Sequence, residues 1–378
     1  MKLRKDKWEQ KKLGEISTII MGQSPPSSTY NEVGEGLPFF QGKTEFTEKH
    51  PVAVKWCSKP NKIAEPNDIL ITVRAPVGAT NIANQRCCIG RGIAAIRSKE
   101  SNEFILTYLQ SVEKELSLKG TGTIFGGISG KVLLDLPIPL PPLEEQKQIA
   151  ALFQSIETAM EQVDGQEKNL KALRKSLINK LTKQKPKFGN LLTKSNYKEY
   201  SIGDLAVEVP DRTDNPQKTG IEKFIGLEDF ESGELTIQRF SSTEKLVSAM
   251  KLCKKGDVLF ARRNAYLKRA SLTDFDAVCS GDVIVMRAKE KIILPKFLIL
   301  IMNTDEFWEF AISNAAGTMS KRVKWRDLAA YSLELPDIKI QEKILEVFNQ
   351  LEATLTQLKQ QKTTLKNLKQ KLLNEILG

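Results

Sequence analysis

The sequence is poor in the side chains that most often bind metals or attack substrates. Its 378 residues include a single histidine, His50, and five cysteines that form no Cys-x-x-Cys pair. The sequence therefore has almost none of the residues needed for zinc sites of the Cys/His type or for histidine-based catalytic triads. An odd number of cysteines in a long chain also argues against a disulfide framework. We expect reduced, mostly buried thiols at Cys57, Cys87, Cys88, Cys253 and Cys279.

Long apolar runs are also missing. The most apolar stretch, from Ile292 to Met302, is short and is interrupted by Pro295 and Lys296, whereas a membrane-spanning helix needs about 20 apolar residues. The first residues are basic, but no apolar run follows them, so they do not form a secretory signal. We therefore expect no membrane partner and a cytoplasmic location.

The motifs of nucleotide-binding and DNA-modifying enzymes are incomplete. Gly42-Lys43-Thr44 has the end of a phosphate-binding P-loop, but the first glycine would have to stand at Leu37. Gly90-Arg91-Gly92 fits a loose dinucleotide pattern, yet no helix of useful length is indicated after it. The Asn-Pro-Pro-aromatic signature of amino-methyltransferases is absent. We expect no catalytic residue, no metal site and no cofactor in this chain.

Basic residues outnumber acidic ones. The chain has 57 Lys and Arg against 46 Asp and Glu, which gives a net charge of +11 and a pI near 9.2. Such a balance favours a polyanionic partner. Double-stranded DNA is the leading candidate, because Lys and Arg neutralise phosphates, Arg pairs with guanine, and Gln or Asn pairs with adenine. A charged surface that is merely solvated is the alternative.

An internal repeat dominates the sequence. The segment from Leu140 to Phe153 aligns without gaps on the segment from Leu335 to Phe348, at an offset of 195 residues. Upstream, Asp68-Ile-Leu70 aligns on Asp257-Val-Leu259 at an offset of 189, and Arg74 falls on Arg263. Self-similarity at a fixed offset indicates a duplicated architectural unit. The drift in offset marks insertions in the loops of each copy.

Each copy ends in a long stretch with the pattern of an amphipathic helix. Apolar residues recur every seven positions over five heptads, which predicts a coiled-coil seam. Residues three or four places further on, Leu173 and Leu368 among them, extend the apolar stripe. The seam residues predicted to pair the helices are Ile149, Phe153, Ile156, Val163, Leu170 and Leu177 in the first helix and Ile344, Phe348, Leu351, Leu358, Leu365 and Leu372 in the second.

These patterns predict an α/β (α+β) fold with two globular domains, two long antiparallel coiled-coil helices and a pseudo-twofold internal repeat. Pairing of the seams within one chain is the simplest arrangement, and pairing between two chains is the alternative. Within the globular parts, strands are predicted at 69–73, 258–261 and 279–287. The predicted boundaries are 1–141 for the first globular domain, 142–183 for the first helix, 184–196 for a linker, 197–336 for the second globular domain and 337–378 for the second helix.

Candidate DNA contacts are basic and amide side chains near the repeated strand and after a repeated Gly-Thr dipeptide. The two copies differ at the strand end, where Arg262-Arg-Asn264 stands against Val73-Arg-Ala75. Two different half-sequences are therefore predicted, which together form an asymmetric bipartite target. The candidates are Gln41, Lys43, Arg74, Arg91 and Thr123 in the first copy and Arg262, Arg263, Asn264, Lys268, Lys321 and Arg322 in the second.

The repeat, the Leu-Pro-Pro-Leu-Glu-Glu-Gln helix start and the Asp-Ile/Val-Leu strand together resemble the specificity subunit of type I restriction-modification systems. The resemblance covers nearly the whole chain, although the second copy departs from it at Ile340, where the first has Glu145. It implies that each globular half is a target recognition domain that reads one part of an interrupted DNA site. It also implies that the long helices set the gap between the two parts.

The resemblance further implies protein partners. The helices would dock two methyltransferase (modification) subunits, which carry S-adenosylmethionine and methylate adenine, whereas the specificity chain itself is not catalytic. Restriction motor subunits belong to such systems as well, and the sequence leaves open whether one joins. Two other interpretations remain: a DNA methyltransferase or nuclease that acts alone, and a structural coiled-coil protein whose basic faces are incidental.

Overall fold

The computed structural model describes residues 3–121, 126–181, 197–317 and 320–378. The chain forms two compact units, one made of Met1–Asp164 with Gln360–Gly378 and the other of Gly165–Lys359. The predicted linker 184–196 lies outside the described residues. The first unit thus combines segments from both ends of the sequence. The boundaries predicted from the repeat divide the chain into consecutive ranges and do not include such a combination.

The globular part of the first unit alternates short strands with short helices. Its strands and helices are β1 (Glu9–Lys12), α1 (Leu13–Ile16), β2 (Ser17–Met21), β3 (Tyr30–Asn31), β4 (Leu37–Phe40), β5 (Trp56–Cys57), β6 (Ile63–Ala64), β7 (Ile69–Thr72), β8 (Thr80–Ile82), β9 (Cys87–Ile89), β10 (Ile93–Ser98), α2 (Asn102–Ser111), α3 (Glu113–Thr121), α4 (Gly130–Leu134) and β11 (Pro137–Leu140). The long helix α5 (Leu143–Ile178) follows and continues into the second unit.

The globular part of the second unit repeats this order with changes at its edges. Its elements are β12 (Tyr197–Ser201), α6 (Ile202–Leu205), β13 (Ala206–Glu208), β14 (Arg212–Thr213), β15 (Lys223–Ile225), β16 (Ser241–Ser242), β17 (Met250–Cys253), β18 (Val258–Ala261), β19 (Ala270–Leu272), β20 (Ala277–Cys279), β21 (Val283–Ala288), α7 (Pro295–Met302), α8 (Asp305–Ser313), α9 (Trp325–Ala329) and β22 (Ser332–Pro336). The long helix α10 (Ile338–Leu377) begins here and ends in the first unit.

A four-stranded antiparallel sheet occurs in both units. Its order is β2-β10-β7-β8 in the first and β13-β21-β18-β19 in the second. The central strand β7 is buried at every position, because Ile69 and Ile71 join one apolar cluster while Leu70 joins another on the opposite face. Alternate side chains of a strand point to opposite faces, so burial on both faces gives a continuous apolar run. In β18, Val258 and Leu259 divide in the same way.

A second sheet keeps its centre and changes its edges. Strand β9 lies between β6 and β4, just as β20 lies between β17 and β15, and the β4–β9 and β15–β20 pairs are both parallel. Beyond this centre, β5 and β3 extend the sheet of the first unit, while β16 and β14 flank opposite ends of the sheet in the second. The predicted α/β class with an internal repeat is confirmed, and the edges are where the copies diverge.

The single strand predicted at 279–287 is wrong. Strand β20 ends at Cys279, β21 begins at Val283, and the two belong to different sheets. The backbone N–H of Val283 donates to the Ser280 carbonyl at 3.0 Å, which closes a tight turn between them. Apolar residues on both sides of Ser-Gly-Asp gave one run in the sequence, but the small and polar turn residues break it.

The apolar stretch from Ile292 to Met302 forms the end of a loop and the buried helix α7. Phe297, Leu298 and Leu300 belong to the core of the second unit. Within the described residues, no helix combines the length and the apolar character needed to cross a membrane.

A buried glutamine marks the start of each long helix. Gln146 donates from Nε2 to the Pro141 carbonyl at 3.0 Å and accepts the backbone N–H of Ser101. Gln341 makes the equivalent bonds, to the Pro336 carbonyl at 2.9 Å and from a backbone N–H at 3.1 Å. Each glutamine therefore satisfies backbone groups at a helix start that would otherwise lack partners. This accounts for the glutamine shared by the two copies of the sequence motif.

The long helices pair antiparallel within each unit. In the first unit Glu157 contacts Lys369 at 2.7 Å and Asp164 contacts Lys362. In the second unit Arg174 contacts Glu352 at 2.7 Å. Residue numbers rise along α5 as they fall along α10. At the offset of 195 residues, Glu157 corresponds to Glu352 and Arg174 to Lys369. The two ion pairs therefore occupy equivalent places in the repeat, with the acid and the base exchanged between the helices. The predicted antiparallel arrangement is confirmed for the helix segments within each unit.

The predicted seam is buried where each helix meets a globular core. Ile149 and Phe153 belong to the core of the first unit, and Ile344, Phe348 and Leu351 to that of the second. Ile156, Val163 and Leu358 are also buried, whereas Leu170, Leu177, Leu365 and Leu372 are half-buried. The extension of the stripe to Leu173 and Leu368 is wrong, because these side chains are 48% and 42% exposed.

Candidate nucleic-acid interface

A carboxylate–arginine pair fixes the start of the same strand in both units. Asp68 accepts two hydrogen bonds from Arg97 at 2.9 and 2.8 Å, and Asp257 accepts two from Arg287 at 2.8 Å each. Each carboxylate also accepts the backbone N–H three residues before it, at 2.8 Å. Both aspartates are buried, and their hydrogen bonds raise the pKa of the paired arginines. The strands β7 and β18 are therefore anchored in the same way.

The far ends of these strands meet the same backbone neighbours in both units. Val73 follows β7, donates its N–H to Gly92 at 2.9 Å and accepts the N–H of Ile128 at 2.9 Å. Arg262 follows β18 and makes the two equivalent bonds, each 3.0 Å long. The segment after the repeated Gly-Thr is thus brought beside the strand end, where the next residue in each copy is an arginine, Arg74 or Arg263.

In the first unit three predicted contact residues meet at this strand end. Arg74 forms a backbone bridge with Gly127 and is exposed. Arg91 stands next to Gly92, and a Cβ placed on Gly92 would lie 2.1 Å from the Gln41 carbonyl. Arg74, Arg91 and Gln41 are exposed side chains around one close backbone approach. Within the described part of the first unit, neither arginine has an acidic partner within 4 Å.

Two other predicted residues of the first copy are placed differently. Lys43 lines a cleft whose other residues include Thr80, Gln110 and Glu113 and a turn of α10 with Lys366. Its side chain is exposed there. Thr123 lies outside the described residues. The prediction of DNA contact at these two positions therefore gains no support from the strand-end geometry.

In the second unit an acid stands among the predicted arginines. Arg322 donates to Asp282 from Nε at 2.8 Å and from Nη2 at 3.2 Å, and Arg263 lies 3.9 Å from the same carboxylate. The hydrogen bonds from Arg322 hold the pKa of Asp282 below its usual range. Arg263 also donates to the Ser320 hydroxyl at 3.2 Å. The carboxylate thus orients guanidinium groups that remain about two-fifths exposed.

The repeat places opposite charges at one position of this site. Asp282 follows Cys279-Ser-Gly281 directly, and Arg91 follows Cys88-Ile-Gly90. The strand end of the first unit therefore presents two arginines without an acid, whereas that of the second presents three arginines around a carboxylate. Because guanidinium groups and carboxylates bind different base edges, the two copies offer different recognition chemistry at the same place in the fold.

Lys268 has a structural partner. It donates to Asp305 at 3.1 Å, and Asn179, the residue that follows helix α5, donates to the other carboxylate oxygen at 2.7 Å. Burial acts in the opposite direction, but the hydrogen bonds from these two residues lower the pKa of Asp305. Lys268 therefore ties its loop to α8 and α5, a role that its position in a basic stretch of sequence does not reveal.

The remaining predicted residues of the second copy lie at the same strand end. The backbone N–H of Asn264 donates to the Lys321 carbonyl at 3.0 Å, so these two residues are neighbours. Lys321 is exposed, and Asn264 and Arg262 are half-buried. Among the residues that the structure describes, the buried Nε atom of Arg262 has no hydrogen-bond partner.

Within the described residues, no cluster of three or more His, Cys, Asp or Glu side chains could hold a metal ion. The five cysteines are free and buried, as predicted. Burial raises the pKa of the Cys87 and Cys88 thiols to about 12. These thiols are therefore protonated at neutral pH and poorly suited to nucleophilic catalysis.

Comparison with protein families matches residues 5–172 and 194–367 to the type I restriction modification DNA specificity domain. The chain belongs to this family. The two matched segments correspond to the two copies of the internal repeat, which confirms the resemblance noted in the sequence.

Individual relatives carry the same assignment. The chain is 45% identical over 179 residues to a protein of Methanocaldococcus jannaschii assigned as the type I restriction enzyme MjaX specificity subunit, covering 46% of this chain and 42% of that protein. It is 22% identical over 387 residues to the EcoBI specificity subunit of Escherichia coli, covering 92% and 79%. The chain thus spans less than half the length of the curated relatives it matches first.

One solved structure matches over the full length. It is the S subunit of a type I restriction-modification system from M. genitalium, with a TM-score of 0.59, 15% identity and coverage of 100% of this chain and 98% of that one. At this identity the likeness establishes the fold, which agrees with the duplicated architecture described above.

Proposed function

We propose that this chain is the DNA-reading specificity subunit of a type I restriction-modification complex and that each unit reads one part of an asymmetric, two-part DNA target. One observation carries the proposal. The same strand end, held by the same backbone bonds, presents Arg74 and Arg91 in one unit and Arg263, Arg322 and Asp282 in the other. A backbone frame that the two units share, but that carries different side chains in each, is suited to reading different base pairs.

The side chains indicate how reading takes place. The exposed arginines reach guanine edges or phosphates, and Gln41 has the amide that pairs with adenine. In the second unit Asp282 holds Arg322 through two hydrogen bonds, which reduces the rotamer freedom lost when the guanidinium binds DNA. Two modest binders carried on one chain gain affinity together, because binding of one raises the effective concentration of the other.

Methyl transfer belongs to partner subunits in this proposal. The long helices dock two methyltransferase subunits, which carry S-adenosylmethionine, and a motor subunit joins if the system also restricts DNA. The helices act as the spacer between the two half-sites.

Mapping of methylated adenines tests the proposal. Genomic methylation is compared between cells with and without this chain. We expect loss of one interrupted motif whose two halves differ. A palindromic motif would contradict the asymmetry, and an unchanged methylome would contradict the function.

A second assay addresses the alternative of a stand-alone enzyme. The purified chain is incubated with DNA and S-adenosylmethionine, with and without its methyltransferase subunits. We expect methyl transfer only when those subunits are present, and transfer by the chain alone would contradict the proposed division of labour.

A further inference from the structure

The loop between β18 and β19 is rigidly built. It runs through residues 262–269 and contains a 3-10 turn, Ala265–Leu267. The residues that flank this turn, Asn264 and Lys268, both adopt left-handed backbone conformations, with φ of 56° and 48°. Such conformations are costly for residues other than glycine and persist where surrounding contacts hold them. Asn tolerates them better than Lys does.

Several contacts hold this loop. Lys268 is paired with Asp305, and the backbone of Asn264 is bonded to that of Lys321. Arg269 donates from Nη1 to the Leu227 carbonyl at 2.8 Å and from Nη2 to the Arg263 carbonyl at 3.3 Å. Ala265, at the start of the turn, is buried. The loop is therefore pinned at both ends and through its middle.

The pinned loop presents apolar side chains to solvent. Tyr266 is 65% exposed and Leu267 is 40% exposed. Arg263 and Lys321 lie on the same strand end. An exposed aromatic on a rigid frame contributes contact area at little cost in conformational entropy. The surrounding cations make a negatively charged partner the favourable one.

In the first unit, the loop that aligns with this segment has no apolar tip. At an offset of 189 residues, Tyr266 corresponds to Val77, which is buried. The segment there is Ala75-Pro76-Val77-Gly78, without an aromatic residue. The exposed pair is therefore a property of one copy, and the maintenance of the shared fold does not require it.

We propose that Tyr266 and Leu267 form a base-reading tip, which contacts thymine methyl groups in the major groove of the half-site bound by the second unit. The inference rests on the proposed function and adds a specificity element to it. Phosphates are met by the flanking cations, which position the loop without selecting a sequence. The Tyr266 hydroxyl can donate to a phosphate, but the Tyr266 ring and the Leu267 side chain gain nothing from one. Their binding energy depends on the base edges, where thymine alone offers a methyl group.

The test is selection of DNA from a library with random half-sites, using the full chain alone and with its methyltransferase subunits. Variants are Tyr266→Ala, Tyr266→Phe and Leu267→Ala. Val247→Ala is the matched control, because Val247 is an apolar side chain of the same unit that is 90% exposed. We expect Tyr266→Ala to bind the selected site about 5- to 100-fold more weakly. Preference should be lost at one or two positions of one half-site, with non-specific DNA binding unchanged.

Thymine replacement identifies the contact itself. Deoxyuridine is placed at the positions where Tyr266→Ala loses preference, which removes the methyl group alone. We expect this change to weaken binding by the wild-type chain and by Tyr266→Phe, and to leave Tyr266→Ala unaffected. A Tyr266→Phe variant that behaves like Tyr266→Ala would overturn the methyl contact, because the hydroxyl would then carry the selection.

The possible outcomes separate this inference from the proposed function. If the wild-type chain selects a bipartite site and Tyr266→Ala selects the same site with equal affinity, the tip is not a reader and the proposed function stands. If Tyr266→Ala keeps its DNA selection but no longer binds the methyltransferase, the tip is a protein contact and the inference is wrong. If the wild-type chain selects no sequence in either setting, both proposals fail.

Discussion

Asp282 changes what its neighbouring arginines can do. A carboxylate that accepts two hydrogen bonds from Arg322 and lies 3.9 Å from Arg263 competes with phosphates for both guanidinium groups. Because its pKa is lowered by those bonds, it remains charged at neutral pH. If these arginines contact DNA as proposed, we expect Asp282 to weaken general attraction to DNA while it holds the arginines in place for base edges.

Replacing Asp282 tests this role. We expect Asp282→Asn to bind random DNA more tightly and to discriminate less between sequences, because two arginines become available to phosphates. The slope of log K against log salt should steepen by about 1.8, which is about 0.9 for each arginine, as measured by fluorescence anisotropy at several salt concentrations. Asp274→Asn is the control, since it makes the same change in net charge at another exposed position of the unit. Equal effects of the two variants would show that charge alone is responsible.

At the scale of single residues, the sequence predicts which side chains are near the site better than it predicts what they do. The repeat predicts Arg74 and Arg263, because its offset aligns the two with each other, and the basic stretch after the repeated Gly-Thr predicts Arg322. The partner of Lys268 is Asp305, 37 residues away, and no local pattern connects the two. Tyr266 was missed for a related reason. An isolated tyrosine in a sequence gives no sign of whether it is buried. The left-handed backbone conformations of Asn264 and Lys268, which flank the turn, can also be recognised only in the structure.

At the scale of elements, the seven-residue period predicts the long helices well and their buried face less well. An unsupercoiled α-helix drifts by about 20° per heptad against such a period. Thus the residue that follows Leu173, Arg174, is the buried one and pairs with Glu352, while Leu173 itself is exposed. The seven-residue period therefore predicts the buried positions of each helix well near the globular core and less well further along the helix.

Truncation of matched seam residues measures the cores. Ile149 and Ile344 are fully buried and occupy equivalent positions of the repeat, so Ile149→Ala and Ile344→Ala should each lower the free energy of unfolding of their own unit by about 3 kcal/mol. Hydrogen exchange at the amides of each unit separates the two effects. Leu173→Ala and Leu368→Ala are the exposed controls, with an expected loss below about 1 kcal/mol. Losses of similar size in all four variants would show that the exposed leucines are also packed.

At the scale of the whole molecule, the repeat and the α/β class follow from the sequence, but the composition of the units does not. The offset of 195 residues reveals two copies, and each copy reads as a globular part followed by a helix. The structure instead completes each unit with a segment of the other copy's helix. Sequence similarity indicates the common descent of segments. Packing between antiparallel helices depends instead on side chains 178 to 212 residues apart, such as Arg174 with Glu352 and Glu157 with Lys369.

The proposed spacer role of the helices leads to a prediction for matched insertions. One heptad added after Asp164 and another after Lys359 lengthens both helices by about 10 Å and preserves the seam and the ion pairs within each unit. If the helices set the gap, the methylated motif should widen by about three base pairs, as read from a genomic methylation map. A heptad in α5 alone is the control. It misaligns pairs such as Arg174 with Glu352, and we expect a lower melting temperature without a defined wider gap. An unchanged gap after the double insertion would exclude the helices as the spacer.

The interleaving of the two units also sets an order of events during synthesis on the ribosome. The second unit is one continuous segment, Gly165–Lys359, and all of it is made before the residues that complete the first. The core of the first unit includes Leu373, Ile376 and Leu377, so its globular part must wait for about 200 further residues before its helix partner emerges. A nascent chain can therefore finish its second unit first, although synthesis of the first began earlier, and both units are complete only when translation reaches the end of α10.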